Sequence, residues 1–275
     1  MTIQPKAPTP LAPPARLVPG AASAVFREAG TSRAISFGIT ILLVLMLWHG
    51  ASALLNSNVL PSPVRVISML AMLYPVLAVH AAVSAWRVLA GLALALVTAM
   101  PAGIMIGRNP HLDRALGPAT YMLFPIPKVA FLPVIMILLG LGDSPKIVLI
   151  AVIVFFQILV AIRDATRNLE PELIYSVRSL GASPRQLYPY AVLPAVLPEA
   201  FTSMRVALGS ALTTLFFTET FATFKGLGHF IMDAWSRAAY DEMFAGIATL
   251  SALGLGLFVM ADVLEKHFCR WKQTA

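Results

Sequence analysis

The amino-acid sequence predicts an all-α integral membrane protein with six transmembrane helices. Of its 275 residues, 58% are hydrophobic and only 12% charged, and the mean hydropathy is +0.80. An ordinary soluble domain carries roughly twice that share of charge. Apolar stretches of the length needed to cross a hydrocarbon core, about 20 residues for about 30 Å, recur near 35–55, 84–107, 117–141, 145–163, 197–219 and 243–264.

Six spans place both chain ends on one side. That side holds Lys6, Arg16, Arg27 and Arg33, then Arg108 and Arg114, then Arg163, Arg167, Arg178 and Arg185, and finally Lys266, Arg270 and Lys272. The opposite loops hold Arg65, Lys146, Lys225 and Arg237, so the excess of bases predicts cytoplasmic termini. The net charge of +7 is spread through short loops rather than gathered on one face, which fits a lipid membrane and excludes nucleic acid as a partner. The single cysteine, Cys269, has no intrachain partner. Residues 1–34, with Pro5, Pro8, Pro10, Pro13, Pro14 and Pro19, are expected to form a flexible Pro-rich cytoplasmic tail. The membrane domain follows over 35–272, with its longest cytoplasmic connection at about 164–196 and a short C-terminal end at 273–275. No signal peptide is visible before the first apolar run.

The second span carries Gly91, Ala95, Ala99, Gly103 and Gly107, small residues on every fourth position, a ridge on which a neighbouring helix can pack closely. The third contains Pro118, Pro125, Pro127 and Pro133 together with Lys128. Interior prolines free backbone groups, so this span is expected to face protein or a wet cavity. Lys128 has two readings, an intramembrane cation on an anion route or a snorkelling side chain. The fifth span presents Ser203, Ser210, Thr214 and Thr218 near one face, ends at Glu219 and has Arg205 towards its cytoplasmic end. These residues either line a translocation path or bond their own preceding carbonyls.

The connection between the fourth and fifth spans has unusually clear local signals. Pro171 marks a helix start, Leu173, Ile174, Val177 and Leu180 form an apolar set, and Gly181 is the stop. Ser183, Pro184 and Gln186 fit a capping box, Pro189 is expected to end the second piece, and Pro194 and Pro198 to turn the chain back to the bilayer. The result is either a stiff knob that docks a soluble partner or an interfacial helix whose Arg178 and Arg185 meet lipid phosphates. On the outer side, turn glycines Gly226 and Gly228 precede an amphipathic stretch with Phe230, Ile231 and Trp235, and Asp241 with Glu242 favours the start of the last helix. His49, His80, His111, His229 and His267 lie on different segments with no metal-ligand spacing and no nucleophile beside a base, so no catalytic, metal or cofactor site is expected.

Gly181, Leu193, Pro194 and Pro198, within "LGASPRQLYPYAVLPAVLP", resemble the cytoplasmic coupling loop, or EAA loop, of type I ABC importer permeases. Further matches follow in order: "LPSP" at 60–63, "RVLAG" at 87–91, "PIPKVAFLPVIMILLGLG" at 125–142, "MRVALG" at 204–209 and "KGLGHFI" at 225–231. Together they resemble the nitrate, sulfonate and bicarbonate permeases, the taurine- and alkanesulfonate-like family, over roughly residues 55–272.

The resemblance implies the type I importer fold, set in a bacterial inner membrane. It implies a second permease copy, two cytoplasmic ABC ATPase subunits that hold ATP and Mg, and a periplasmic solute-binding protein. On this reading Glu172, Tyr175, Arg178, Gly181, Ala182, Ser183, Arg185 and Pro194 couple to the ATPase. Lys128, Arg205, Ser210, Thr214, Thr218 and Glu219 belong to the path of a small anion such as a sulfonate, nitrate or bicarbonate. Asp233 and Arg237 meet the binding protein. Tyr175, Ser176 and Val177 stand where the family often has a Glu-Ala-Ala-like triplet, and Pro189 where a base is common, which shifts polar contact towards Glu172 and Arg185. The chain has no G-x-x-x-x-G-K-[ST] phosphate loop, so ATP hydrolysis is assigned to a partner and no enzymatic activity to this chain. The alternative is an ion-coupled secondary transporter.

Overall fold

The computed structural model describes the backbone of residues 21–55, 59–123 and 125–273, and side chains from residue 38 to residue 271 of these. The chain divides into two compact units, Met1–Ser57 and Asn58–Ala275. In the first unit, helix α1 runs over Ala21–Leu55, and Gly38–Leu55 is apolar and long enough to cross a membrane. The expected tail to residue 34 is therefore corrected from Ala21 onward, and its first 20 residues lie outside the described ones. The prolines stop at Pro19, so nothing in Ala21–Arg33 bars a helix.

The second unit contains α2 (Pro63–Arg108), α3 (Pro110–Leu123), α4 (Leu132–Leu139), α5 (Ser144–Arg167), α6 (Pro171–Ser179), α7 (Leu193–Glu219), α8 (Leu227–Ser236) and α9 (Tyr240–Phe268). Among the described residues five helices are long and apolar enough to cross a membrane, or six if the bent α3–α4 pair counts as one span.

α2 begins well before the expected position at residue 84. Ser62 accepts the Arg65 N–H and Pro63 occupies the first turn, where its missing donor costs nothing. Its 46 residues rise about 69 Å, more than twice the thickness of a hydrocarbon core. Its N-terminal part packs through Leu77 on Leu227, Phe230 and Ala245. The small-residue ridge lies where its spacing predicts, against α5. A Cβ on Gly91 would meet Ile150 at 2.6 Å, one on Gly103 would meet Ile162 at 2.9 Å, and one on Gly107 the Arg163 carbonyl oxygen at 2.6 Å.

The third span is broken. α3 ends at Leu123, a 3-10 turn covers Lys128–Phe131, and α4 follows. Most side chains of this span are exposed, and Ile126, Lys128 and Val129 line a cavity. The Lys128 ammonium serves part of the broken backbone by donating to the Leu123 carbonyl at 2.8 Å.

A second correction concerns the fifth span. Pro189 does not end a helix: Tyr188–Val192 forms a π-helical turn that continues into α7, and Pro194 and Pro198 lie within the helix rather than at a return. A wide i→i+5 turn at the helix start leaves room for rings that lack an N–H. The main core joins α2, α5 and α7 through Val88, Leu92, Ile158, Ile162, Ala207 and Leu215.

Candidate functional site

The connection between α5 and α7 forms a knob built from α6 and the turn after it. α6 starts at Pro171 and ends before Gly181, whose φ of 87° is a left-handed conformation suited to glycine. The Gly181 N–H closes the end on the Arg178 carbonyl at 2.9 Å. Gln186 accepts the Ser183 N–H at 2.8 Å, one half of the expected capping box. Ile174 and Leu187 are buried in the main core, with Val177 and Ala182 packed against it. Leu180 departs from its expected place in that apolar set, because it is 88% exposed beyond the helix end. Glu172, Tyr175, Arg178, Gly181, Ser183 and Arg185 are all exposed on the same knob, and Pro194 is half-buried at its root.

The expected path residues do not form one set. Lys128, Ser210 and Thr214 come together in a cavity of about 520 Å³, also lined by Gln157, Val206, Gly209 and Thr213. Lys128 lies 4.8 Å from the Phe156 ring centroid, a distance at which an ammonium is attracted by the ring face. Gln157 donates to Ser210 at 2.9 Å, while its amide oxygen is buried without a hydrogen-bond partner among the described residues. Thr214 donates to the Ser210 carbonyl and Thr213 to that of Gly209, so both hydroxyls keep lone pairs as acceptors. Gln157 and Thr213 escaped the sequence reading, although Gln157 is an amide within an otherwise apolar span.

Arg205 is held elsewhere, by Glu265 at 2.8 Å and Asp262 at 3.1 Å. Ser203 and Thr218 are buried and donate to their own preceding turns, the packing reading of the hydroxyl stripe. Glu219 is wholly buried and ion-paired with Arg87 at 2.8 Å, so its place on an open path is corrected: the guanidinium draws the C-terminal end of α7 onto the middle of α2. On the surface, Asp233 and Arg237 pair at 2.9 Å, and Arg237 also holds Glu242 at 2.8 Å. The hydrogen bond to Glu242, then that to Asp233, raises the Arg237 pKa above its ordinary value.

Sequence reasoning also missed a clamp at the inner end. Arg163 is buried between Asp113 and the Tyr121 ring and ties α3 to the end of α5 from which the knob departs. Gly117 allows this approach, since a Cβ there would fall 2.7 Å from the guanidinium. Among the described residues no group of three or more His, Cys, Asp or Glu is placed to hold a metal.

A helical bundle with several membrane spans, a polar cavity beside a broken span and a rigid knob rooted in its core defines a transport permease. The chain belongs to the binding-protein-dependent transport system inner membrane component family, whose model matches residues 99–270. It is thus the membrane permease component of an ABC importer, with the ATPase a separate subunit and a binding protein as partner. It is 29% identical over 245 residues to the taurine transport system permease protein TauC of Escherichia coli (strain K12), covering 86% of this chain and 89% of that one. It is 32% identical over 247 residues to the riboflavin transport system permease protein RibX of Chloroflexus aurantiacus, covering 88% and 91%. The MetNI methionine ABC transporter, solved in inward-facing conformations, matches with a TM-score of 0.58 over 69% of this chain and 94% of that chain. At 18% identity that likeness shows the shared type I fold.

Proposed function

We propose that this chain forms the translocation path for a small anion of the sulfonate class, as one half of a permease homodimer in a bacterial inner membrane with both termini cytoplasmic. Two ATPase subunits hold ATP and Mg and grip the knob through Glu172, Tyr175, Arg178, Arg185 and the Gly181–Ser183 turn. Closure of the ATPase pair displaces the knob. Ile174 and Leu187 root it in the core, so the displacement passes into α5 and α7 instead of bending a loop. The binding protein delivers cargo on the outer face near Asp233 and Arg237. No reaction is assigned to this chain.

The observation that carries the choice of cargo is the cavity that brings Lys128 beside Gln157, Ser210, Thr213 and Thr214. An ammonium gathered with hydroxyls and an amide in the wall of a cavity at membrane depth favours an anion. Of the cargoes named for the two relatives, taurine carries a sulfonate and riboflavin no fixed charge. The ion-coupled alternative gains no support, because Glu219, Asp262 and Glu265 are each paired with an arginine, whereas a carrier needs carboxylates available to its coupling ion.

The test is uptake of taurine and short alkanesulfonates by vesicles holding the permease, its ATPase and its binding protein. A Cβ on Gly209 meets nothing within 4 Å, so Gly209→Leu is expected to fold and to project into the cavity, and uptake is expected to fall at least about tenfold. Normal uptake in that variant overturns the cavity as the path. ATP hydrolysis that no sulfonate-loaded binding protein stimulates overturns the cargo.

A further inference from the structure

Away from the cavity and the knob, the chain buries charges that neither uses. Arg87 is 3% exposed, Lys146 1% and Glu219 0%, while the Asp143 side chain, at 47%, reaches the surface. Arg87 donates through Nη1 to Glu219 and to the Lys225 carbonyl, both at 2.8 Å. Through Nε and Nη2 it holds Asp143 at 2.8 and 2.6 Å. The Ser84 hydroxyl reaches both Glu219 oxygens at 2.9 Å, and the Gly228 N–H donates to Glu219 at 2.8 Å. Lys146 donates to the Gly142 carbonyl at 2.7 Å. From Arg87 to Arg108 an α-helix rises about 30 Å, the thickness of a hydrocarbon core, which puts this group at the outer boundary.

Arg87 bonds both carboxylates directly, and Lys146 lies close enough to feel all three charges without bonding any of them, so two cations and two carboxylates gather in a neutral quartet. Its members come from α2, the turn before α5, the first turn of α5 and the end of α7, and it holds the loop that opens α8. Withdrawing Arg87 or Glu219 strands the other as a buried charge without its counter-charge, a state far costlier than the intact pair. The glycines are shaped around it: a Cβ on Gly226 would lie 2.4 Å from the Glu219 carboxyl carbon, and one on Gly228 2.7 Å from the Glu219 Cβ.

We infer that this quartet is a rivet and not a gate. Arg87 is a positioning residue that makes the middle of α2, the start of α5, the end of α7 and the start of α8 travel as one block through the transport cycle. The outward opening then forms along the opposite face of α7, where Val206, Gly209, Thr213 and Phe217 are exposed. This inference rests on the chain being the moving part of an importer and is independent of its cargo.

The test uses the assembled complex with its ATPase and binding protein, after the buried Cys269 is replaced by serine. Leu227→Cys, at a fully buried position whose N–H bonds Ser84, reports on the rivet; Val206→Cys reports on the exposed face. Labelling with a small methanethiosulfonate is compared between nucleotide-free and ATP–vanadate states. Leu227→Cys is expected to stay unlabelled in both, while the Val206→Cys rate changes by about tenfold. A rise of that size at Leu227→Cys in either state overturns the rivet, and so does an unchanged rate at Val206→Cys. In a second measurement, Arg87→Lys and Glu219→Gln are expected to hydrolyse ATP at a near-normal rate while solute imported per ATP falls about tenfold. An unchanged ratio in both variants removes the positioning role. If the parent complex imports another solute and no sulfonate, the cargo fails and both readouts still decide the rivet with that solute.

Discussion

Gly181 shows how much one backbone angle decides. A Cβ there meets nothing within 4 Å, yet φ is 87°, so substitution is resisted by conformation and not by crowding. An alanine costs about 1–2 kcal/mol in the left-handed region, and aspartate adds a charge to the exposed tip. Gly181→Asp is expected to abolish ATP-driven uptake while the protein stays in the membrane, as uptake assays and immunoblots of membranes will show. Normal uptake in that variant sinks the role given to the knob. Position 181 was legible because glycine after an amphipathic helix is a local signal. Arg87 was not: its carboxylate partner Glu219 lies at a sequence separation of 132, and nothing near either residue announces the other. Glu219 alone therefore looked like the end of a polar stripe.

Among the elements, α2 and α5 were the easiest pair to foresee. Small residues at every fourth position say that something comes close; only packing says that it is α5. Gly107→Ala places a Cβ 2.6 Å from a backbone carbonyl oxygen that has little freedom to yield, and overpacking of this kind costs about 1–3 kcal/mol. Gly256→Ala on α9 meets nothing within 4 Å and gains helix propensity of about 1 kcal/mol. Thermal unfolding in detergent is expected to fall in the first variant and to hold or rise in the second; equal midpoints would remove the close approach. The start of α7 was misread for a different reason. Pro189, Pro194 and Pro198 each signal a break when judged alone, whereas a π-turn at the helix start accommodates the first of them and the helix carries the other two.

For the whole molecule, the bias of bases predicts orientation. Arg163, Arg167, Arg178 and Arg185 cluster at the α5 end and on the knob, with Lys266 and Arg270 at the end of α9, against Arg65, Lys225 and Arg237 on the other side. A reporter enzyme active only in the cytoplasm, fused after Ala275, is expected to be active, and one fused within the 225–237 segment inactive. The reverse pattern rejects the topology.

The sequence by itself determined the membrane class, the broken third span, the small-residue ridge and the knob with its glycine stop. Each rests on hydropathy, spacing or capping over a few turns of chain, where chemistry and geometry are coupled locally. Tertiary structure alone decided that Lys128, Ser210 and Thr214 share a cavity with Gln157, that Arg205 turns to Asp262 and Glu265, and that Glu219 is sealed beneath Arg87. Those outcomes depend on how each helix is rotated about its axis against its neighbours, and a rotation of a third of a turn exchanges a lining residue for a buried one without altering the hydropathy of the span.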